Sequence, residues 1–298
     1  MSIRDLGTEQ QNSASSALDL KSALEIARII NQEDRKVALA VESALPQIAA
    51  AVEVIANALG KGGRLIYVGA GTSGRIAALD ASECPPTFGS DPKTIQYVIA
   101  GGDKALGSAA EYNEDSRTQG ESDLAKRRLG KKDVVVGIAA SGRTPYTIAA
   151  VQYARRKGSR TAAVVCNPNS ELGRAAEIEI LVNVGPEVLS GSTRMKAGTA
   201  QKMVLNILTT GAMTRLGYVY DNLMVHVHTG NEKLVERALG ILQKAAGVER
   251  EEAAKALKSA KNRVAAALVM LKTGTSLTEA ARRLKKARGN VRKAIDGI

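Results

Sequence analysis

The spacing of apolar residues changes along the chain and predicts its elements. Between residues 22 and 59 they recur at helical intervals, which predicts one helix ending near Asn31 and a longer helix through Ile48 and Ile55. Beyond Gly62 they gather in short runs rich in valine and isoleucine, as is typical of buried strands. These runs predict strands near residues 65–68, 95–99, 133–138, 161–165 and 178–184. Because helical stretches separate them, the strands should pair in parallel, as in an α/β fold.

Helical spacing returns after the last predicted strand. It predicts a long helix over residues 195–216 and then a small three-helix unit at 248–260, 263–272 and 277–295, with breaks at 273–275 and at Gly289 and Asn290. At the other end, residues 1–19 are polar and lack periodicity, so we expect an extended arm. The chain is therefore divided into an N-terminal arm with helices at 1–56, a ligand-binding α/β domain at 57–220 and a C-terminal helical region at 221–298.

Composition excludes several classes of protein. The 298 residues are 44% hydrophobic and 24% charged, which is ordinary for a soluble globular protein. Aromatic residues make up only 3% and tryptophan is absent, which argues against a stacking surface for single-stranded nucleic acid. Two cysteines cannot form a disulfide framework or a four-cysteine metal site. The sequence shows no leader pattern and no run of about 18 apolar residues, so we expect a cytoplasmic protein that does not enter the membrane.

The net charge of +12 is concentrated in the tail. Residues 249–298 contain thirteen lysines and arginines against five acidic residues, and so supply +8 of that charge. No recognition helix or zinc pattern accompanies these basic residues, and a basic helical tail is most simply a solvated surface. We therefore do not expect nucleic-acid binding.

Three predicted strands end in loops of glycine and hydroxyl residues, at 69–74, 139–145 and 185–194. Glycine lets the backbone approach a ligand closely, and hydroxyls add donors to the N–H groups of the helix that follows. The carboxyl ends of parallel strands meet in one crevice, so the three loops predict a phosphate-binding site there. Its candidate residues are Gly71, Thr72, Ser73, Ser141, Arg143, Thr144, Ser190 and Ser192.

The first loop has the spacing G-x-G-x-x-G, which dinucleotide-binding folds share. A nucleotide-dependent oxidoreductase is therefore a competing class. Such a fold places an acidic residue at the end of its second strand to bind ribose, whereas Ile99 is followed here by Ala100 and two glycines. The absence of that acidic residue favours a phosphate of another kind.

Two glutamates near these loops are candidates for acid and base catalysis. Glu83 precedes Cys84 and a proline pair, which predicts a helix end and a rigid turn at the mouth of the crevice. Glu114 lies in a polar run further along the chain. A lone glutamate is most simply a solvated charge, whereas two carboxylates flanking a phosphate-tethered substrate suit proton transfer. The residues alone leave both interpretations open.

Three segments closely resemble the N-acetylmuramic acid 6-phosphate etherase family. They are residues 65–75 (LIYVGAGTSGR), 80–88 (DASECPPTF) and 185–202 (GPEVLSGSTRMKAGTAQK), and weaker likeness extends over most of the chain. The resemblance implies the sugar-isomerase (SIS) fold, which is a flavodoxin-like three-layer α/β/α sandwich with a five-stranded parallel sheet, followed by a small helical bundle. It also implies a cytoplasmic homodimer that acts on a sugar phosphate and uses no metal or organic cofactor.

The family removes the D-lactyl ether from C3 of a sugar 6-phosphate, in the recycling of cell-wall amino sugars. An ether oxygen leaves poorly by direct displacement. Opening the sugar ring to the aldehyde acidifies the C2 hydrogen, so lactate can leave by elimination and water can then add. By resemblance, Glu83 is the acid that protonates departing lactate and Glu114 is the base at C2.

Two further points limit what the resemblance implies. His226 and His228 stand where relatives should carry other residues, so we expect neither to be essential, and no third ligand is spaced to form a metal site. The same fold also serves non-catalytic regulators similar to the glucokinase regulator. A sugar-phosphate sensor is therefore the alternative function, although the presence of both Glu83 and Glu114 favours the enzyme.

Overall fold

A computed structural model describes residues 6–108, 111–227 and 229–298. His228 and the first five residues of the predicted arm lie outside the described residues. The chain forms two compact units. The first comprises Met1–Ala81 and Lys93–Thr209, and the second comprises Ser82–Pro92 and Thr210–Ile298. The division at 1–56, 57–220 and 221–298 stays a prediction.

Strands and helices alternate through the first unit. The strands are β1 (Leu65–Gly69), β2 (Ile95–Ile99), β3 (Val134–Ile138), β4 (Arg160–Val165) and β5 (Ile178–Leu181). The helices of the chain are α1 (Ala23–Glu42), α2 (Leu45–Gly60), α3 (Gly71–Phe88), α4 (Arg117–Ala125), α5 (Pro145–Arg156), α6 (Glu171–Ala175), α7 (Lys196–Leu216), α8 (Glu232–Ala246), α9 (Arg250–Ser259), α10 (Val264–Thr273), α11 (Leu277–Lys286) and α12 (Val291–Asp296).

The five strands form one parallel sheet in the order β2-β1-β3-β4-β5. Leu65 of β1 lies opposite Ile95 of β2 on one side and Val134 of β3 on the other. The predicted five-stranded parallel sheet of flavodoxin type is therefore confirmed. In this strand order, the connection that follows β1 and the connection that follows β3 lie on opposite sides of the sheet. This arrangement opens a crevice at the carboxyl ends of these two strands.

Helices cover both faces of the sheet because the strands are apolar on both. Ile66 and Val68 share a buried core with Ile148 and Val151 of α5. Successive side chains of a strand point to opposite faces, and Tyr67 donates a hydrogen bond to Asp80 of α3 at 2.9 Å. Burial raises the pKa of Asp80 against hydrogen bonds that lower it.

The first two helices differ from their predicted bounds. The predicted end near Asn31 is wrong, since α1 begins after a capping box formed by Ser22 and Glu25 and continues to Glu42. The polar run after Asn31 does not interrupt the helix, because Glu33 within it is buried against Lys196 of α7. The described part of the arm contains short 3-10 turns, at Gly7–Glu9, Ser13–Ser15 and Leu18–Leu20.

The proline pair does not end α3 where the sequence predicts. Pro85 and Pro86 stand inside α3, which continues to Phe88. Gly89, with φ +61°, donates its N–H to the Pro85 carbonyl at 2.8 Å and closes the final turn. Each proline lacks an N–H, so α3 is without two backbone hydrogen bonds in its last two turns. Glu83 therefore lies within a helix rather than at its end.

The second unit is helical and has its own core, in which Leu242, Leu257 and Leu268 are buried together. The predicted long helix over 195–216 is confirmed as α7. The break predicted at Gly289 and Asn290 is confirmed: it separates α11 from α12, where Gly289 adopts φ +85° and the Asn290 side chain caps α12. Within the described residues, no single helix is long and apolar enough to span a membrane, and only α1 and α2, bent by 61°, reach that length and composition as a pair.

Candidate active site

The end of β1 leads almost directly into α3. Only Ala70 separates Gly69 from Gly71, where the helix begins, and the Gly74 N–H donates to the Ala70 carbonyl at 3.1 Å. The glycines and hydroxyls predicted as a loop thus form the first turn of α3. The first N–H groups of a helix have no acceptor within it and carry the positive end of its dipole. This turn is therefore suited to an anion.

The end of β3 forms the second part of the crevice. Gly142 adopts φ +65° and donates its N–H to Ala139, and the Arg143 N–H donates to the Ser141 hydroxyl at 3.2 Å. A Cβ at Gly142 would lie 2.3 Å from the Ser170 Cβ, so only glycine fits this turn. Thr144 then precedes Pro145, the first residue of α5.

A pocket of about 610 Å³ lies in the first unit at the ends of β1 and β3. It brings together six of the predicted phosphate-binding residues and one predicted catalytic carboxylate: Gly71, Thr72, Ser73, Ser141, Arg143, Thr144 and Glu114. Other lining residues are Leu6, Glu9, Ala70, Arg75, Asp115, Ala139, Ala140, Pro145 and Thr193. The crevice predicted from the loops is thus a real cavity at the switch point of the sheet.

Glu114 is held in this pocket through its backbone. Its carbonyl accepts the Tyr146 N–H at 3.0 Å, which ties it to the start of α5. The Tyr146 hydroxyl donates to Asp123 of α4 at 2.9 Å. The glutamate side chain reaches the first turn of α3, since a Cβ at Gly71 would lie 3.0 Å from Glu114 Oε1. Glycine at position 71 therefore leaves room for the carboxylate beside the anion-binding turn.

Glu83 belongs to the second unit. Its side chain is exposed on α3, and its backbone carbonyl accepts the Thr87 hydroxyl at 2.7 Å. Cys84 beside it is buried, which agrees with a structural role. Of the two predicted catalytic carboxylates, Glu114 lines the pocket of the first unit and Glu83 is part of the other unit.

The third predicted loop contributes differently from the first two. The Ser190 hydroxyl donates to the backbone carbonyls of Glu9 and Gln10, at 2.9 and 3.3 Å. Ser192 is half-buried and donates its N–H to Leu189 at 2.9 Å. Among the described residues of this loop, Thr193 is the one that lines the pocket.

The N-terminal arm supplies pocket residues that the sequence did not indicate. Leu6 and Glu9 line the cavity. The arm is fastened there by Thr8, whose hydroxyl accepts a hydrogen bond from Asn167 at 3.0 Å and whose carbonyl accepts the Gly191 N–H at 3.2 Å. No signal in the arm could have identified these residues, because it lacks periodicity and contacts parts of the chain far away in sequence.

Buried charges anchor the third loop to the beginning of α7. The Glu187 carboxylate accepts the N–H groups of Lys196 and Ala197, both at 2.9 Å, and caps the helix. Burial raises the pKa of Glu187 against these hydrogen bonds. The Lys196 ammonium donates to Glu33 of α1 at 2.7 Å. Burial opposes the charge on Glu33, but hydrogen bonds from Lys196, Lys36 and Asn12 lower its pKa to about 2.

The pocket combines donors suited to an anion with a carboxylate that lies beside the first turn of α3. Arg75 donates to the carbonyls of Ala105 and Ser108, so it supports the chain near the pocket. Arg143, the predicted hydroxyl residues Thr72, Ser73, Ser141 and Thr144 and the first turn of α3 are suited to an anion, and Glu114 places a carboxylate in the same pocket. Among the described residues, no group of three histidine, cysteine or acidic side chains is placed to hold a metal ion.

Comparisons with known proteins define the class. Residues 106–211 match the SIS domain family, and residues 47–155 match the glucokinase regulatory protein N-terminal SIS domain. A solved phosphoheptose isomerase from Francisella tularensis is 18% identical, with a TM-score of 0.53, and the match covers 65% of this chain and 100% of that one. At that identity the likeness shows the fold alone. The chain is a SIS-domain protein.

The particular family follows from closer relatives, each named N-acetylmuramic acid 6-phosphate etherase. The relative from Aliivibrio fischeri (strain ATCC 700601 / ES114) is 52% identical over 98% of both chains. That from Photorhabdus laumondii is 49% identical over 100% of this chain and 99% of its own length. That from Clostridium beijerinckii is 47% identical over 100% and 98%. The chain belongs to the N-acetylmuramic acid 6-phosphate etherase family, which is a family of enzymes.

Proposed function

We propose that the protein cleaves the D-lactyl ether of N-acetylmuramic acid 6-phosphate. The products are N-acetylglucosamine 6-phosphate and D-lactate, and the reaction is a carbon–oxygen lyase step followed by hydration. The observation that carries the proposal is the placement of Glu114 in the same pocket as the anion-binding turns, in a chain that belongs to the etherase family.

The phosphate on C6 is bound by the first turn of α3 and the loop after β3. The Ser73 and Ser141 hydroxyls and the helix N–H groups donate to its oxygens, and Arg143 balances its charge. Binding the phosphate at one end of the pocket orients the rest of the sugar, so that C2 lies within reach of a carboxylate. The Ser190 hydroxyl donates to backbone carbonyls of the arm, whereas Ser192 stays a predicted phosphate-binding residue.

The reaction proceeds through the open-chain aldehyde. Glu114 takes the C2 proton, the electron pair forms a C2–C3 double bond, and the C3–O bond breaks. Glu83, which does not line the pocket of the first unit, has its role from the resemblance to the family: it gives its proton to the departing oxygen, which leaves as D-lactate. Water then adds its oxygen to C3, and a proton returns to C2. The sum is one ether and one water consumed for two alcohols formed, with no change in oxidation state and no metal or organic cofactor.

The direct test is release of D-lactate from N-acetylmuramic acid 6-phosphate by the purified protein. In water enriched in oxygen-18, we expect the label on the sugar product and not on lactate, because the C3–O bond is the one that breaks. Label in the lactate would show attack at the lactyl carbon and contradict the elimination. Activity should survive dialysis against a chelator.

The alternative function is a regulatory protein that binds a sugar phosphate without cleaving it. The match of residues 47–155 to the glucokinase regulatory protein N-terminal SIS domain favours it as the second candidate. Binding of N-acetylmuramic acid 6-phosphate in calorimetry, with no lactate released, would support this alternative and exclude the etherase.

The same proposal places the protein in the cytoplasm as a homodimer, where cell-wall amino sugars are recycled. We infer both from the etherase family rather than from a contact between copies. Sedimentation at micromolar concentration tests the assembly, and a single species with the mass of one 31.3 kDa chain would contradict it.

A further inference from the structure

The first unit contains an ion pair that the proposed chemistry does not use. Lys196 at the beginning of α7 donates to Glu33 of α1 at 2.7 Å, and the two side chains are only 2% and 4% exposed. Neither residue is part of the pocket lining. Removing two charges from water costs about as much as their attraction returns, so a buried pair is weak support for stability by itself. Another role for the pair is therefore worth seeking.

Several segments of the chain meet at this one carboxylate. The Asn12 side-chain amide donates to Glu33 Oε2 at 2.9 Å and to the Pro186 carbonyl at 3.1 Å. Glu187 beside that proline binds the N–H of Lys196. The N-terminal arm, α1, the third loop and α7 are thus joined through a single hydrogen-bonded network.

Two of those segments also form a wall of the pocket. The arm contributes Leu6 and Glu9, and the third loop contributes Thr193. The arm and the loop are joined directly as well, since Ser190 donates to the Glu9 carbonyl at 2.9 Å. The Ser190 hydrogen bond connects the arm to the third loop, whereas Asn12 connects both segments to the buried pair.

We propose that Glu33 and Lys196 are a positioning pair that holds the arm and the third loop against the pocket, so that Leu6, Glu9 and Thr193 form its wall. The inference deepens the proposed function and rests on it, because it concerns the same pocket. Glu33 serves as the shared acceptor, and Lys196 keeps its carboxylate ionised and oriented. Asn12 transmits this position to the arm. Hydrogen bonds keep the pKa of Glu33 at about 2, so the acceptor is charged at neutral pH.

Two variants separate positioning from stability. Asn12→Ala removes the arm's link, together with the hydrogen bond that Asn12 accepts from the Ala14 N–H, and leaves the buried pair intact, so the melting temperature should fall less than on loss of one member of the pair. Glu33→Met with Lys196→Met replaces the pair by apolar side chains of similar length and should keep the fold stable. Both variants should raise KM about tenfold, as expected for one lost hydrogen bond to a charged group, and change kcat less than about twofold, since the wall binds substrate and transition state alike.

Lys36→Met is the matched control. Lys36 pairs with the other oxygen of Glu33 but is 62% exposed, so its loss should leave KM near that of the natural protein. A natural KM in Asn12→Ala, or in the double variant with its melting temperature retained, would overturn the proposal.

Hydrogen exchange tests the same proposal without catalysis. Amides of residues 6–12 should exchange about tenfold faster in Asn12→Ala and in the double variant than in Lys36→Met, because the arm has lost its attachment. Equal exchange in all three would overturn the positioning pair whatever the activity. If the natural protein releases no lactate, the proposed function fails, and this measurement still decides whether the pair positions the arm.

Discussion

At the scale of single residues, the two glutamates should fail at different steps. Removal of the C2 proton needs only the base, whereas expulsion of lactate also needs the acid. Glu114→Ala should therefore lose both exchange of the C2 hydrogen with heavy water and lactate release. Glu83→Ala should keep the exchange and lose lactate release by about 10²- to 10⁴-fold. Proton NMR in heavy water follows both signals in one sample.

The reverse pattern would exchange the two roles. If Glu83→Ala stopped C2 exchange while Glu114→Ala retained it, Glu83 would be the base. The corresponding glutamine variants are the matched controls, since they keep the size of each side chain and remove only its proton transfer. Circular dichroism should show that all four variants keep their helices.

Hydroxyls of the anion-binding turns should act mainly on binding. Ser73→Ala and Ser141→Ala each remove a donor to a charged phosphate, so KM should rise by the equivalent of about 1.5–3 kcal/mol. Ser190→Ala is the contrast, because that hydroxyl binds the carbonyls of Glu9 and Gln10 instead. Inorganic phosphate should inhibit Ser190→Ala as strongly as it inhibits the natural protein. It should inhibit Ser73→Ala and Ser141→Ala more weakly. Equal inhibition of all three would remove Ser73 and Ser141 from the phosphate site.

A site residue could be predicted where a local sequence pattern places it at the pocket, and not where contacts between distant parts of the chain do so. Ser73 and Ser141 follow strands, and the carboxyl ends of neighbouring parallel strands share an edge, so their meeting follows from pattern alone. Leu6 and Glu9 reach the pocket through contacts with Asn167 and Ser190, which no local pattern encodes. Glu114 accepts a backbone hydrogen bond from Tyr146, a contact that only the folded chain shows.

At the scale of elements, the contact between α4 and α5 should tolerate no added methyl group. A Cβ at Gly120 would lie 2.1 Å from the Tyr146 carbonyl oxygen, so Gly120→Ala should destabilise the protein by roughly 3 kcal/mol, the upper part of the range for overpacked cores. Gly240→Ala in α8 meets nothing within 4 Å and should stabilise its helix by roughly 0.4–1 kcal/mol. Urea unfolding measures both, and similar effects at the two positions would contradict the close packing of α4 on α5.

Helix bounds were the least predictable part of the fold, for local reasons. Prolines usually end a helix, but α3 passes Pro85 and Pro86 because Gly89 closes its last turn. A polar run such as that after Asn31 usually marks a boundary, yet α1 continues because Glu33 is buried against Lys196. In both cases a contact outside the pattern decides the helix end. The strands β1 to β4 were predicted well because burial leaves a nearly continuous apolar run, whereas β5, which contains Glu179, ends at Leu181 before its predicted end at 184.

At the scale of the whole molecule, each compact unit has its own buried core, so the two units should unfold separately. The first is built around the sheet and α5, and the second around Leu242, Leu257 and Leu268. Chains with more than one core commonly depart from two-state unfolding. We expect two groups of amides in hydrogen exchange under native conditions, one from β1 and β3 and another from α10.

N-acetylglucosamine 6-phosphate should distinguish these groups, because every lining residue of the pocket belongs to the first unit and this product lacks the lactyl oxygen on which Glu83 is proposed to act. A ligand that binds only the folded state, added at about 100 times its Kd, stabilises that state by roughly 2.7 kcal/mol. N-acetylglucosamine 6-phosphate should therefore slow exchange of the slowest amides in β1 and β3 about 100-fold and leave those of α10 unchanged. N-acetylglucosamine without the phosphate is the control and should protect neither group. Equal protection of β1 and α10 would show that the two units open as one.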